Sequence, residues 1–283
     1  MVVYNPKDWW KLIFAFHKND TFRMLLPGII GVAAFTALIS YVENDFFGAT
    51  FKNTTVVHTL VGFVLSMLLV FRTNSAYDRW WEARKLWGSL VNVSRDLYIR
   101  VNVCIEDAEV KAELKNLIID FSFALKEHLR EGSNLELLSM DSSRFLKENH
   151  HHAPLQIINR IYELLSVHID SSDKHLNNHI MIHQNMNEFS NILGGCERIK
   201  KTPIPYSYSL FFKKVIFIYI FTMPIGFVRE FGYWASPIVA LVFYVFAGIE
   251  LLAEEIEDPF GHDANDLPTD TICETIKSNL SNL

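Results

Sequence analysis

Residues 71–92 read FRTNSAYDRWWEARKLWGSLVN, and the helix they describe changes solvent along its length. Upstream, Asn53 to Phe71 carries no charge, its apolar part begins near Val56, and Arg72 ends it. Downstream the residues become dense in Arg, Trp and acids. Arg79 with Glu82, and Glu82 with Lys85, are opposite charges three residues apart, a spacing that brings side chains together on a helix. Trp80, Trp81 and Trp87 supply large packing surfaces whose indole N–H groups need acceptors. In physical terms this is a helix that leaves a bilayer through an interfacial aromatic belt and continues in a polar medium.

Working outward, further apolar runs match that reading. A helix needs roughly 20 residues to cross the hydrocarbon core. Met24 to Val42 and Phe231 to Ile249 are uncharged and long enough, bounded by Arg23 and Glu43 and by Glu250. Val215 to Val228 is shorter, held between Lys213–Lys214 and Arg229–Glu230; Tyr206 to Phe212 lengthens it if the two lysines snorkel to the interface. Four crossings are therefore expected. Of the 26 Lys and Arg residues, all but Lys7, Lys11, Lys18, Arg23, Lys52, Arg229 and Lys277 lie between Arg72 and Lys214. Basic residues close to span ends mark the cytoplasmic side, which assigns both termini and the long middle to the cytoplasm. Trp9, Trp10, Trp80, Trp81 and Tyr206 fall where aromatic belts are expected.

The middle has its own helical pattern. Arg79 to Val103 repeats Trp80, Leu86, Trp87, Leu90, Val91, Val93 and Leu97, and Ala108 to Arg130 repeats Leu114, Leu117, Ile118, Phe121, Phe123 and Leu125. Asp107 is the expected N-cap of the second helix and Glu109 suits its positive end, whereas Val110 stands where a capping box needs Glu or Gln. Ser133 to Ala153 reads as a polar surface excursion, and Leu155 to Ile169 and Leu176 to Ile199 as further helices. No strand pattern and no internal repeat is visible. The fold class is all-α: a membrane protein with a cytoplasmic helical bundle.

Composition narrows the function. The 283 residues are 50% hydrophobic and 20% charged with a net charge of −6, which argues against a nucleic-acid binder and its basic face. Cys104, Cys196 and Cys273 have neither zinc spacing nor a disulfide framework and fit a reducing compartment. Met1 to Asp20 shows no cleavable signal pattern. The spans hold no HExxH, no GxSxG, no paired aspartates and no central charge, so no enzyme is expected. A scaffold protein is the competing class; a transporter is disfavoured by the absence of broken-helix symmetry. His175, His179 and His183 are four residues apart on one helix face and His150–His152 form a triplet, but the polar neighbours favour solvated faces over a metal site. His58 is a candidate pH-sensitive group.

The opening stretch closely resembles the hallmark of the bestrophins, particularly their bacterial branch, FRTNxAYDRWWEARxLWGxLVN. Glu197 to Tyr206 (ERIKKTPIPY) and Asp258–Pro259–Phe260–Gly261 match the family in the same order, so the resemblance covers nearly the whole chain. It implies a homopentamer in membrane lipid around one central pore lined by the second helix, about residues 56–78. It also implies a neck of three apolar side chains, here Phe63, Met67 and Phe71, with Met67 departing from the Ile or Phe common there. Ile204, in the Pro203–Ile204–Pro205 turn, matches the family's cytoplasmic aperture. The implied permeant ion is chloride; a monovalent cation is the alternative, since some bacterial members favour cations. In eukaryotic members an acidic run after the last span holds Ca²⁺. Here Asp258, Asp263, Asn265 and Asp266 could contribute, but His262 and Ala264 interrupt the run and an exposed acidic tail is the favoured reading, with no cofactor required. The expected organisation is 1–78 for the N-terminal segment and first two spans, 79–205 for the cytoplasmic helices, 206–252 for the last two spans and 253–283 for a cytoplasmic tail, in a bacterial inner membrane.

Overall fold

Apolar runs of this length form helices because a backbone surrounded by hydrocarbon must satisfy its own hydrogen bonds. A computed structural model describes residues 20–47, 55–130, 138–139, 152–168 and 176–283. Trp9, Trp10, Lys52, His150, His151, His175 and the side chain of His179 lie outside the described residues. Among the described residues every regular element is helical. Three stretches, Thr21–Asp45, Thr55–Cys104 and Tyr206–Glu257, are long and apolar enough to cross a membrane.

The helices are α1 (Asp20–Tyr41), which runs into a π-helical turn at Val42–Phe47, α2 (Thr55–Cys104), α3 (Ala108–Leu129), α4 (Ala153–His168), α5 (Leu176–Lys201), α6 (Tyr206–Phe231), α7 (Ala235–Glu257) and α8 (Thr269–Ser281). Together they form two compact units. Among the described residues, one comprises 79–202 with Asp258–Leu283, the other 20–78 with Pro203–Glu257. The single helix α2 contributes to both.

In the apolar unit, α6 and α7 form an antiparallel hairpin. Gly232, at φ 55°, closes α6 by donating its N–H to Val228 O; this left-handed backbone suits a residue without Cβ. Pairs at matched distances from the turn confirm the antiparallel course: Tyr219 meets the Phe246 ring at 5.6 Å, and Lys213 Nζ lies 2.9 Å from Glu254 Oε2. The lysine flanking the short apolar run is thus paired, and α6 continues through it unbroken. Helix α1 packs on α6 and α7, with Phe35 on Phe221 and Ser236 Oγ donating to Ala33 O at 2.8 Å. Gly62 of α2 lets the hairpin approach closely, because a Cβ there would come within 2.6 Å of the Tyr219 hydroxyl.

A buried ion triad completes this unit. Arg72 has no exposed surface, and its Nη2 lies 2.7 Å from Glu257 Oε2, with Nε 3.8 Å from Glu250 Oε2. Glu250 and Glu257 stand seven residues apart, which is one face of α7. Desolvating such charges is costly; Glu257 pairs directly with Arg72, whereas Glu250 stands farther off and neither of its oxygens is hydrogen-bonded among the described residues.

The polar unit is built around the lower part of α2. Trp87, Leu90 and Leu97 bury against Leu114, Leu117, Ile118, Phe121 and Leu125 of α3, Ile157 and Ile161 of α4, and Met186, Phe189 and Cys196 of α5. Phe121 meets Phe189 edge-on at 4.9 Å. Of the periodic positions read from the sequence, Trp87, Leu90 and Leu97 and all those named on α3 are core residues, while Trp80, Leu86, Val91 and Val93 are partly buried against that core. Asp107 caps α3, accepting from the Glu109 and Val110 N–H groups at 2.9 and 3.3 Å. Cys196 and Cys273 are buried and Cys104 is partly exposed; burial pushes both buried thiols up to about 12.

The segment from Asp258 onward corrects the expectation of an exposed tail. Phe260, Leu267, Ile272, Cys273, Ile276 and Leu280 are core residues of the polar unit, and α8 packs on α3. The reason is its periodicity: Ile272, Cys273, Ile276 and Leu280 form one apolar helix face. Asp270 fastens α8, receiving Lys126 Nζ at 2.9 Å and Arg130 Nη2 at 2.9 Å. Burial opposes its ionisation, but these donors prevail and hold its carboxyl down at about 2.

Two predictions follow from these contacts. Arg72→Ala takes from Glu257 its paired cation and should cost on the order of 3–5 kcal/mol, read as a lowered unfolding midpoint in detergent; an unchanged midpoint would remove the triad from the stability account. Because the folded carboxyl of Asp270 titrates below its unfolded value of about 3.9, its contribution is present above that pH and lost as pH falls toward 2. The midpoint difference between wild type and Asp270→Asn should therefore shrink across that window, and a constant difference would refute the linkage.

Candidate ion pathway

The membrane half of α2 has two faces. One, running through His58, Gly62, Leu65, Leu69, Arg72 and Ala76, is buried. His58 Nε2 lies 3.3 Å from Thr222 Oγ1 and its ring stands 5.8 Å from that of Tyr219, so the histidine is packed against α6. The other face is uncovered within one chain. Phe63, Met67 and Phe71 are 71%, 54% and 51% exposed. Their spacing puts them on one slowly turning stripe over about 12 Å of rise. Followed down α2, the same sector turns polar: Asn74, Asp78, Lys85, Ser89, Asn92 and Asp96 are all exposed.

Ile204 sits partly buried in the turn before α6. Its backbone N–H donates to Glu257 Oε1 at 2.6 Å, while the other oxygen of the same carboxylate receives Arg72. One side chain of α7 therefore fixes both the end of the Phe63–Phe71 stripe and the Ile204 turn. Glu257 and Glu250 were not singled out from sequence. The signal available was their seven-residue spacing past the last apolar run, with Arg72 ending another, but nothing in the chain order pairs them.

Within the polar unit, residues of the three sequence patches that carry the family resemblance meet one another. Arg79 donates to Thr202 O and Ile199 O at 2.5 and 2.6 Å, placing a guanidinium on the negative end of α5. Glu82 takes Arg198 of α5, so the strong partners of Arg79 and Glu82 lie across the helix pair, beyond the three-residue pairs expected within α2. Trp80 Nε1 donates to Asn265 O at 3.0 Å, and Lys200 Nζ lies 2.9 Å from Asp258 Oδ2. The signature residues thus clamp α2 to the end of α5 and to the 258–267 loop.

Within that loop Asp266 is 2% exposed. Burial pushes its carboxyl up to about 6; the Asp263 N–H, donating to Oδ2 at 2.6 Å, opposes the shift, and the charges of Asp263 and Asp258 add to it. Ca²⁺ needs six to eight oxygens. Asp258 is engaged by Lys200, the Asn265 carbonyl by Trp80, and one Asp266 oxygen by the Asp263 backbone, leaving Asp266 Oδ1 as a buried oxygen without a hydrogen-bond partner. Asp258, Asp263 and Asp266 do not gather their carboxylates into a three-ligand group; among the described residues that arrangement occurs at His128, His152 and Glu197. His183 of the helical histidine row is exposed, its ring 5.7 Å from that of Tyr162.

Residues 1–282 match the family of bacterial and fungal bestrophin proteins. The chain is similar to a voltage-dependent anion channel-forming protein of Nostoc sp., at 35% identity over 98% of this chain and 92% of that protein. It is also similar to the voltage-dependent anion channel-forming protein YneE of Escherichia coli K12, at 32% identity over 99% and 93%. A crystal structure of a bacterial bestrophin homolog from Klebsiella pneumoniae, carrying a mutation, shares the fold with a TM-score of 0.83 at 23% identity, covering 92% of this chain and 98% of that one. A chain whose described regular elements are all helices, three stretches of them of membrane length and apolar, and whose residues 1–282 match the family, is a membrane protein of the bacterial and fungal bestrophin family.

Proposed function

We propose that this protein is a subunit of a homopentameric anion channel of the bacterial inner membrane, conducting chloride through a pore lined by α2. The observation that carries the reading is the uncovered stripe of Phe63, Met67 and Phe71 on a helix whose opposite face is fully packed. Five copies of that stripe around an axis make an apolar neck about 12 Å long. Such a tube excludes water and ions unless it widens, which gates by dewetting. Aromatic edges carry positive potential and faces negative, so Phe63 and Phe71 with their edges toward the axis favour an anion. Met67 between them adds a flexible, polarizable ring that widens at small cost.

The relatives named as anion channel-forming proteins support the sign of the ion. In this reading α1, α2, α6 and α7 are four crossings. Both termini and the polar unit are cytoplasmic, and the Asn74–Asp96 sector lines the wet part of the pathway. Ile204, fixed through Glu257, forms the cytoplasmic aperture. Conduction is passive, with no chemical step and no cofactor. One observation favours a second reading, a monovalent-cation pore: the polar sector of α2 carries Asp78 and Asp96 against Lys85 alone.

Purified protein in planar bilayers under a KCl gradient separates these readings. A reversal potential close to the chloride equilibrium value is expected; one close to the potassium value establishes the cation pore, and absence of current from assembled protein defeats both. Alanine at Phe63, Met67 and Phe71 together should enlarge the open-channel current severalfold, and unchanged currents would reject the neck.

A further inference from the structure

Away from the proposed pathway, three polar side chains from three helices meet at one point in the polar unit. His128 lies in the last turn of α3, His152 immediately before α4, and Glu197 near the end of α5. Both imidazole Nε2 atoms lie 2.8 Å from the same oxygen, Glu197 Oε1. The rings stand 4.6 Å apart at 38°, and the three donor atoms are all within 4.8 Å of one another. The side chains are 24%, 31% and 20% exposed, so the cluster is held in place yet open to solvent on one side.

We propose that His128, His152 and Glu197 bind a divalent transition-metal ion of the zinc class. Two imidazole nitrogens and one carboxylate oxygen, with a fourth position open to water, are the donor set of open tetrahedral zinc sites. Donors around tetrahedral zinc stand about 3.4 Å apart, from bond lengths of about 2.0–2.2 Å. Each nitrogen, now 2.8 Å from the shared oxygen, needs to retreat by about 0.6 Å to reach that separation. Without the ion, the two imidazoles share one carboxylate oxygen as their acceptor. A cation between the three groups would exchange those two hydrogen bonds for coordinate bonds to the same atoms.

The electrostatics suit the ion. Burial works against the Glu197 charge, but the hydrogen bonds from His128 and His152 prevail and hold the carboxyl below its usual range. A carboxylate held in its charged form is the form a metal ligand needs. Two neighbours oppose binding and both can yield. Lys201 Nζ is 3.8 Å from Glu197 Oε2, but that side chain is 69% exposed and free to swing into water. The Leu155 N–H approaches His152 Nδ1 at 3.4 Å; metal on Nε2 puts the proton on Nδ1 and gives up this long contact. The nitrogen donors select against Ca²⁺ and Mg²⁺, which prefer all-oxygen shells. The ion would tie the ends of α3 and α4 to α5, and it does so whether or not the chain conducts.

The test uses the full-length protein in detergent, with any affinity tag removed and metal stripped by chelator. Equilibrium dialysis against ZnCl₂ with elemental analysis should give one zinc per chain, and CoCl₂ should give the visible band of tetrahedral cobalt. A millimolar excess of CaCl₂ should displace neither. His128→Ala and Glu197→Gln, each checked for assembly by size-exclusion chromatography, should each weaken zinc binding at least tenfold. Binding should also weaken at acid pH, where protons compete with the metal for its ligands. The double variant His150→Ala/His151→Ala should bind as wild type does. No bound zinc, equal binding by the His128 and Glu197 variants, or loss of binding in the 150/151 variant would each overturn the proposal.

Discussion

Glu257 is the side chain on which the apolar unit turns. Its two oxygens face in different chemical directions, one accepting from the buried guanidinium of Arg72 and the other from the Ile204 backbone. A charge-assisted hydrogen bond of this kind is short and directional, and Arg72, with no exposed surface, has no water to turn to instead. Chain elements about 185 residues apart are brought to a common point by that one group. The apolar packing of Leu65, Leu69, Phe212 and Val239 provides bulk attraction, but apolar contact between helices is tolerant of sliding. The ion triad is not, because a shift along the helix leaves charges without partners.

Much of this architecture was legible in the chain because two periodicities carry it. Run length marked the apolar helices, and the 3.6-residue repeat marked α3 through Leu114, Leu117, Ile118 and Phe121, all of which are buried. The Asp107 cap was readable because capping is local. What could not be read was pairing at a distance. Arg79 and Glu82 had plausible partners within α2, yet their strong contacts are on α5. The convergence of His128, His152 and Glu197 depends on how three helix ends meet, which no spacing encodes. The last 26 residues were misread for a different reason. The acidic run that precedes α8 dominated the local composition, although Ile272, Cys273, Ile276 and Leu280 already carried a helical stripe.

The Phe63–Met67–Phe71 stripe stands between these cases. Periodicity puts the three residues on one face, but nothing in a single apolar helix separates a face turned to lipid from one turned to an axis. The resemblance supplied that choice. The signature residues themselves act lower on α2, where Arg79, Trp80 and Glu82 hold the helix against α5 and the 258–267 loop. The most recognisable part of the sequence is in this sense a joint, and the stretch assigned to the ion is chemically plain.

The distribution of thiols has a practical consequence. Cys196 and Cys273 are sealed in the core, where burial suppresses the thiolate, while Cys104 ends the long helix at a partly exposed position. Alkylating reagents attack thiolates and need access, so the unaltered chain directs a maleimide dye to one defined place on α2. Fluorescence or spin labels attached there would follow the far end of that rod in the native sequence, with no engineered cysteine and no background to subtract.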